Sequence, residues 1–302
     1  MAVFKGNKMK NLLLASTAVV LLSSATPGFA QGVGSGAWVS VEGGVAAIST
    51  GYDSYMYSVE STDPDAETIP GTGINMFFEV GINIPNTPYS VGLGFRNSSN
   101  GSSLYESTYD SFYSSYDTSD SSNEGSFTTL DFEIGRDIGL GGVGSGRVTL
   151  GVRGAQVGIA SSGYYSDYYS SGYNSQSASF IGAGPRVALE ASVPVMNRVS
   201  FDAEVGVAML FGTTTSSSDS YSYGGGPSGY SIHGPSRSSS DTSSSTVTNI
   251  DFSAALSYLI GSNSKVSLGY RSESFTGLNL GGYGYADTMT DQGAFLKFTT
   301  GF

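Results

Sequence analysis

The chain has no cysteine, which excludes disulfides and thiolate metal sites. Charge is scarce: 13 % of the 302 residues are acidic or basic, and there is one histidine, His233. The balance is negative, −12 formally. Such a surface repels nucleic acid, so that class of partner is set aside. After residue 30 no stretch approaches the roughly 18 continuous apolar residues of a spanning helix. With many aromatics and an N-terminal leader, low charge and no spanning helix leave a secreted all-β protein or an outer-membrane β-barrel.

The first thirty residues read as a leader. Lys5, Lys8 and Lys10 give a positive start, Leu12 to Leu22 an apolar stretch, and Gly28-Phe29-Ala30 a small-x-small cleavage site. That order is a secretory signal peptide, and the apolar part is too short to span a bilayer. Residues 31–302 are read as one domain.

Glycine (43) and tyrosine (20) are plentiful, and the apolar residues alternate. Ile74, Met76, Phe78, Val80, Ile82 and Ile84 are separated by Asn75, Phe77, Glu79, Gly81 and Asn83. The segment from Val199 to Phe211 alternates likewise. A strand sends successive side chains to opposite faces, and about 9–11 residues suffice for a tilted strand to cross a membrane. Ten strands are predicted near 37–48, 73–84, 89–96, 127–137, 146–158, 178–193, 199–212, 246–260, 265–275 and 292–302. Twelve is the alternative if a long loop contains a hairpin.

Connections alternate between short, near 85–88, 138–145, 194–198 and 261–264, and long, near 49–72, 97–126, 159–177, 213–245 and 276–291. Short turns on one side and long loops on the other suit a closed antiparallel up-and-down barrel of the bacterial outer membrane. Turns and termini are then periplasmic and loops extracellular. Tyr89, Phe201, Tyr258 and Phe302 fall at strand ends on the outward face, as an aromatic girdle would. The last strand, with Phe298 and a terminal Phe302 on one face, resembles the signal by which the barrel-assembly machinery recognises its clients.

Several segments carry a family resemblance. They are Asp131-Phe132-Glu133, Leu150-Gly151-Val152-Arg153, the run Phe180 to Glu190 containing Gly182-Ala183-Gly184-Pro185-Arg186, Met209-Leu210-Phe211-Gly212, and Gly269-Tyr270-Arg271. Together they resemble the Legionella-type pore-forming major outer-membrane-protein family, mainly between residues 128 and 302. The resemblance implies a barrel with pore activity.

Strand parity places Arg96, Arg153, Arg186, Arg271 and Lys297 in the lumen, with Glu42, Glu79, Asp131, Glu133, Glu190, Asp202, Glu204 and Asp251. Buried charges must be paired or wet. These residues therefore either lock a narrow barrel shut or line a wet path that favours cations. His233 lies in a Gly/Pro/Ser-rich stretch far from any acidic cluster, so no general base is evident. Gly139 to Gly144 matches a dinucleotide-binding string, but a strand follows it rather than a helix, which makes it a turn. Asp117 and Asp120 lack EF-hand spacing. No cofactor or metal is expected.

The long connections hold tyrosine clusters among serines: Tyr105, Tyr109, Tyr113 and Tyr116; Tyr164, Tyr165, Tyr168, Tyr169 and Tyr173; Tyr221, Tyr223 and Tyr230. That composition suits adaptable recognition, and equally a hydrophilic coat. Two functions follow, neither enzymatic. One is a narrow pore for ions and small solutes; the other is a non-porating barrel whose Tyr/Ser loops act in adhesion or cell-surface recognition.

Overall fold

Alternation of apolar and small residues gives each strand one face for an apolar surround and one for a narrow interior, and closing the sheet leaves no unpaired edge. In the computed structural model these strands form β1 (Ala37–Thr50), β2 (Thr72–Asn83), β3 (Tyr89–Asp110), β4 (Ser115–Gly139), β5 (Ser145–Ser166), β6 (Ser170–Met196), β7 (Val199–Gly225), β8 (Ser231–His233), β9 (Arg237–Ile260), β10 (Ser264–Thr276) and β11 (Thr288–Gly301). The structure describes residues 36–50, 72–110, 115–140, 143–166, 170–225, 231–233, 236–260, 263–278 and 288–302. The leader at 1–30 lies outside them.

Every pairing among the described residues is antiparallel, in the order β6-β5-β4-β3-β2-β1-β11-β10-β9-β7, and β6 pairs with β7 to close the ring. Ten of these strands make the wall. The additional β8 is a three-residue piece against β7, so the twelve-strand alternative does not arise among the described residues. One end of the barrel, the terminal end, carries the start of β1, the last residue Phe302 and the short connections. Phe302 N–H donates to Ala37 O at 2.8 Å there, tying the last residue beside the first strand. The Gly139–Gly144 string falls at the turn between β4 and β5, and a strand follows it.

At the terminal end, predicted and observed strand limits agree within a few residues. At the other end they agree within a few residues for β1, β2, β10 and β11, but not for the six strands between. Most of the stretches predicted as loops at 97–126, 159–177 and 213–245 are strand: β3 and β4, β5 and β6, and β7 and β9 run on well past the apolar band. The reason is physical. The signal used to end a strand was loss of apolar alternation, yet Ser, Thr and Tyr continue a ladder whose register is already set below. Hydroxyl pairs across the strands mark that continuation, with Ser177–Ser217 Oγ atoms 2.8 Å apart and Ser122–Ser162 also 2.8 Å. Of the other predicted loops, residues 51–71 and 279–287 lie outside the described residues.

The outward face is apolar around the middle of the wall: Phe78, Phe95, Phe132, Leu150, Val187, Val207, Phe252 and Leu296 are all well exposed. Tyr89, Phe201, Tyr258 and Phe302 sit on that face at the terminal end. The Arg136 guanidinium lies 5.8 Å from the centre of the Tyr89 ring.

The wall extension can be tested by cross-linking, since the chain has no native thiol. Oxidation is expected to join Ser177→Cys to Ser217→Cys, which face each other in register, as seen by mobility on a non-reducing gel. Ser177→Cys with Ser220→Cys, on opposite faces of the sheet, should stay reduced. Equal cross-linking of both pairs would mean these segments are not strands.

Candidate functional site

The interior holds almost all the chemistry. Inward residues lie two apart on each strand, so a charged residue in one strand meets those of neighbours at the same level. Glu42 is opposite both Phe77 and Lys297, Asp131 is opposite Arg153, and Glu190 is opposite Glu204. All thirteen lumenal charges predicted from parity (Glu42, Glu79, Arg96, Asp131, Glu133, Arg153, Arg186, Glu190, Asp202, Glu204, Asp251, Arg271 and Lys297) lie on inward positions of the wall.

They form layers. Nearest the terminal end, Asp202 accepts hydrogen bonds from Ser192 and Ser257, each 2.6 Å, and from Lys265 Nζ at 2.9 Å. Arg147 Nε donates to Asp137 at 2.7 Å. Farther in is a cavity of about 40 Å³ lined by Phe77, Glu79, Glu133, Glu190, Glu204 and Lys297 together with Arg96, Asp131 and Arg186. That is room for a few water molecules.

Beyond the cavity the arginines close the cross-section. Arg153, with no exposed surface, grips Asp131 through Nε and Nη2 at 2.7 Å each. Its Nη1 reaches Asp251 and Glu273, both at 3.0 Å, and Asn249. Arg186 donates to Asp251 at 2.7 Å, to Glu204 at 3.0 Å and to Glu133. Arg96 pairs with Glu273, and Arg271 with Glu42 at 3.0 Å. Phe77 gives these cations an aromatic face: Arg96, Arg271 and Lys297 lie 5.0, 5.2 and 5.1 Å from its ring centre. Gly206 keeps the crossing open, since a Cβ there would stand 2.6 Å from Arg186 Nη2.

Past the arginine layer comes an apolar plug of Phe127, Val157, Phe180, Leu210, Val247, Phe275, Leu278 and Met289, all essentially buried. Phe127 on β4 and Phe275 on β10 stand on opposite sides of the ring, and their centroids are 5.4 Å apart. Leu278 is not on the wall. Gly277 (φ 87°) turns the chain inward after β10, and Thr214 Oγ1 donates to Leu278 O at 2.8 Å. A side chain at 277 would also meet Thr246 O at 2.7 Å from its Cβ.

Parity reasoning missed part of this interior. Lys265 and Glu273 share a face with Arg271, and Asp291 one with Lys297, so the same alternation points to them. Asp137 and Arg147, opposite each other at the ends of the predicted strands 127–137 and 146–158, share the inward parity of Asp131 and Arg153 and were also passed over. The apolar plug went unrecognised for another reason. Inward positions of a membrane barrel are expected to be polar, and nothing in a single strand shows that such apolar side chains meet. The tyrosine clusters fall partly on the extended wall, where Tyr164, Tyr165, Tyr173 and Tyr221 are exposed. Tyr113, Tyr168, Tyr169 and Tyr230 lie outside the described residues. His233 sits in β8 opposite Tyr223.

Residues 78–276 match the family described as Legionella pneumophila major outer membrane protein precursor, across two thirds of the chain and most of the wall. The chain belongs to that family. With the closed barrel and its outward apolar band, membership makes it a protein of the bacterial outer membrane. No curated protein matches the chain by sequence. Among solved structures it is similar to the outer membrane protease OmpT from Escherichia coli, at 12 % identity and TM-score 0.49, covering 93 % of this chain and 100 % of that one. It is also similar to a major outer membrane protein from Thermus thermophilus, at 15 % identity and TM-score 0.35, covering 88 % and 99 %. Identities this low carry no activity across.

Removing Arg153 would leave the carboxylates of Asp131, Asp251 and Glu273 facing one another without their shared cation. Arg153→Met is expected to destabilise the folded barrel by about 3–5 kcal/mol. The measurement is the urea midpoint of the heat-shifted gel band after refolding in detergent. An unchanged midpoint would show that the interior is wet enough to solvate the acids.

Proposed function

We propose that this outer-membrane protein is a closed barrel that carries a Ser/Thr/Tyr-rich β-wall above the outer leaflet for recognition at the cell surface. The observation behind this reading is the contact of Phe127 with Phe275 across the axis, directly above the fully buried Arg153. An apolar plug on a paired-charge layer would strip ions of their hydration at two successive levels. The long strands then have a purpose other than enclosing a channel. About 9–11 residues cross a bilayer, whereas β6 and β7 have 27 each. In this reading the leader exports the chain, the termini and short turns face the periplasm, and the barrel-assembly machinery recognises the Phe298–Phe302 end. No reaction is required of it.

A narrow pore is the second reading. It is favoured by the carboxylates around the 40 Å³ cavity in the terminal half and by the excess of inward acids, which would prefer cations. Single-channel recording of the refolded mature barrel in a planar bilayer separates the two. No current steps are expected, with heat-shifted mobility confirming the fold. Steady, salt-dependent and cation-selective steps would establish the pore and overturn the closed barrel.

A further inference from the structure

The extended wall brings together tyrosines that the sequence holds far apart. Tyr164 on β5 is opposite Tyr173 on β6, and Tyr173 is opposite Tyr221 on β7. Each stands an even number of positions from a lipid-side residue of its own strand: Val152, Ile181 and Phe211 respectively, all exposed. The three therefore share the outer face of the barrel. They are 47 %, 44 % and 43 % exposed, so each offers an amphipathic ring to whatever lies beside the wall.

The surroundings of the row are polar and in register. Asp120 continues it on β4, opposite Tyr164. On one side the same face carries Ser162, Ser175 and Asp219; on the other, Ser166, Ser171 and Tyr223. Adjacent strands are about 4.8 Å apart, close to the length of one pyranose in a linear chain, so three rings present successive stacking positions to successive sugars. Hydroxyls on both flanks, with the carboxylates of Asp219 on one flank and Asp120 at the end of the row, match sugar hydroxyls. The exposed acids Asp120 and Asp219 disfavour a phosphate-rich ligand.

Height selects the source. Tyr173 lies eight residues before Ile181, the last outward apolar residue of β6 toward that end of the barrel. At about 3.4 Å per residue and a tilt of roughly 40°, that is about 20 Å above the apolar band. The headgroup layer is only about 5–8 Å thick. The row looks sideways, above the lipid phosphates, at the level where the saccharide chains of the outer-leaflet lipid rise beside the barrel.

We propose that Tyr164, Tyr173 and Tyr221 form a lateral stacking site for a neutral hexose chain of the outer-leaflet glycolipid. The proposal rests on the orientation given above, with the long strands outside the cell, and makes the recognition face a saccharide-binding one. It explains why tyrosines fall in register on strands that have no lipid left to face.

The probe is the lipid-free, dephosphorylated oligosaccharide released by mild acid from smooth lipopolysaccharide. The full barrel, refolded in detergent, is tested by saturation-transfer NMR. Transfer to sugar ring protons is expected, and the triple variant Tyr164→Ser, Tyr173→Ser, Tyr221→Ser should weaken binding roughly tenfold or more. The triple Tyr→Phe variant should retain most of the affinity, and heat-shifted mobility should be unchanged in both. Absence of transfer with wild type, equal affinity in the Ser variant, or binding that disappears on dephosphorylation would each overturn the site. So would retention on a polylysine surface in place of sugar binding, which would assign the face to a cationic partner. Failure of the closed-barrel reading is seen separately, as conductance, and a conducting barrel that still binds sugar would leave this site standing.

Discussion

Arg153 is where the constraints of a narrow barrel meet. Ten strands leave a lumen only slightly wider than side chains can fill, so a charge on the inward face has no bulk water to fall back on. An unpaired ion there would cost several kcal/mol, and the arrangement answers with sharing: one guanidinium serves Asp131, Asp251, Glu273 and Asn249. Asp251 is held in turn by Arg186, and Glu273 by Arg96. These pairs join β3, β4, β5, β6, β9 and β10 across the axis as well as along the wall. Backbone ladders hold the ring of strands; the ion network fixes which inward faces meet and at what level.

The rest of the interior follows from that layer. Toward the termini the network loosens into a small acid-lined cavity and then the Asp202 cluster. Away from the termini it is covered by Phe127, Phe180, Phe275 and their neighbours, which exclude water from the ion pairs. Low dielectric strengthens the attraction within each pair and raises the penalty for leaving any member unpaired. The plug and the arginines therefore stabilise the same packed interior. Gly206 and Gly277 show how tightly the pieces fit, one making room for Arg186 and the other turning Leu278 into the barrel.

The wall itself continues past the apolar band. There the outward residues are no longer apolar and the inward ones lie beyond the plug, and the sequence turns to Ser, Thr, Tyr and Gly. Strand pairing nevertheless persists, because register is inherited from the membrane segment and hydroxyl pairs such as Ser177–Ser217 reinforce it. The wall is a regular display of side chains at strand spacing, and the tyrosine row is one product of that regularity.

The linear sequence determined the all-β class, the ten spanning strands, the limits of those strands at the terminal end and the face each charge would occupy. All of these depend on the two-residue period, which is local and survives in one dimension. Family membership was legible in runs such as Gly182 to Arg186. Tertiary structure alone decided which charges share a partner, that Phe127 meets Phe275, that Leu278 enters from outside the wall, and that Tyr164, Tyr173 and Tyr221 form a row. These depend on ring closure and on register between segments far apart in the chain. Pairing energy is summed over whole ladders, so no single stretch of residues records it.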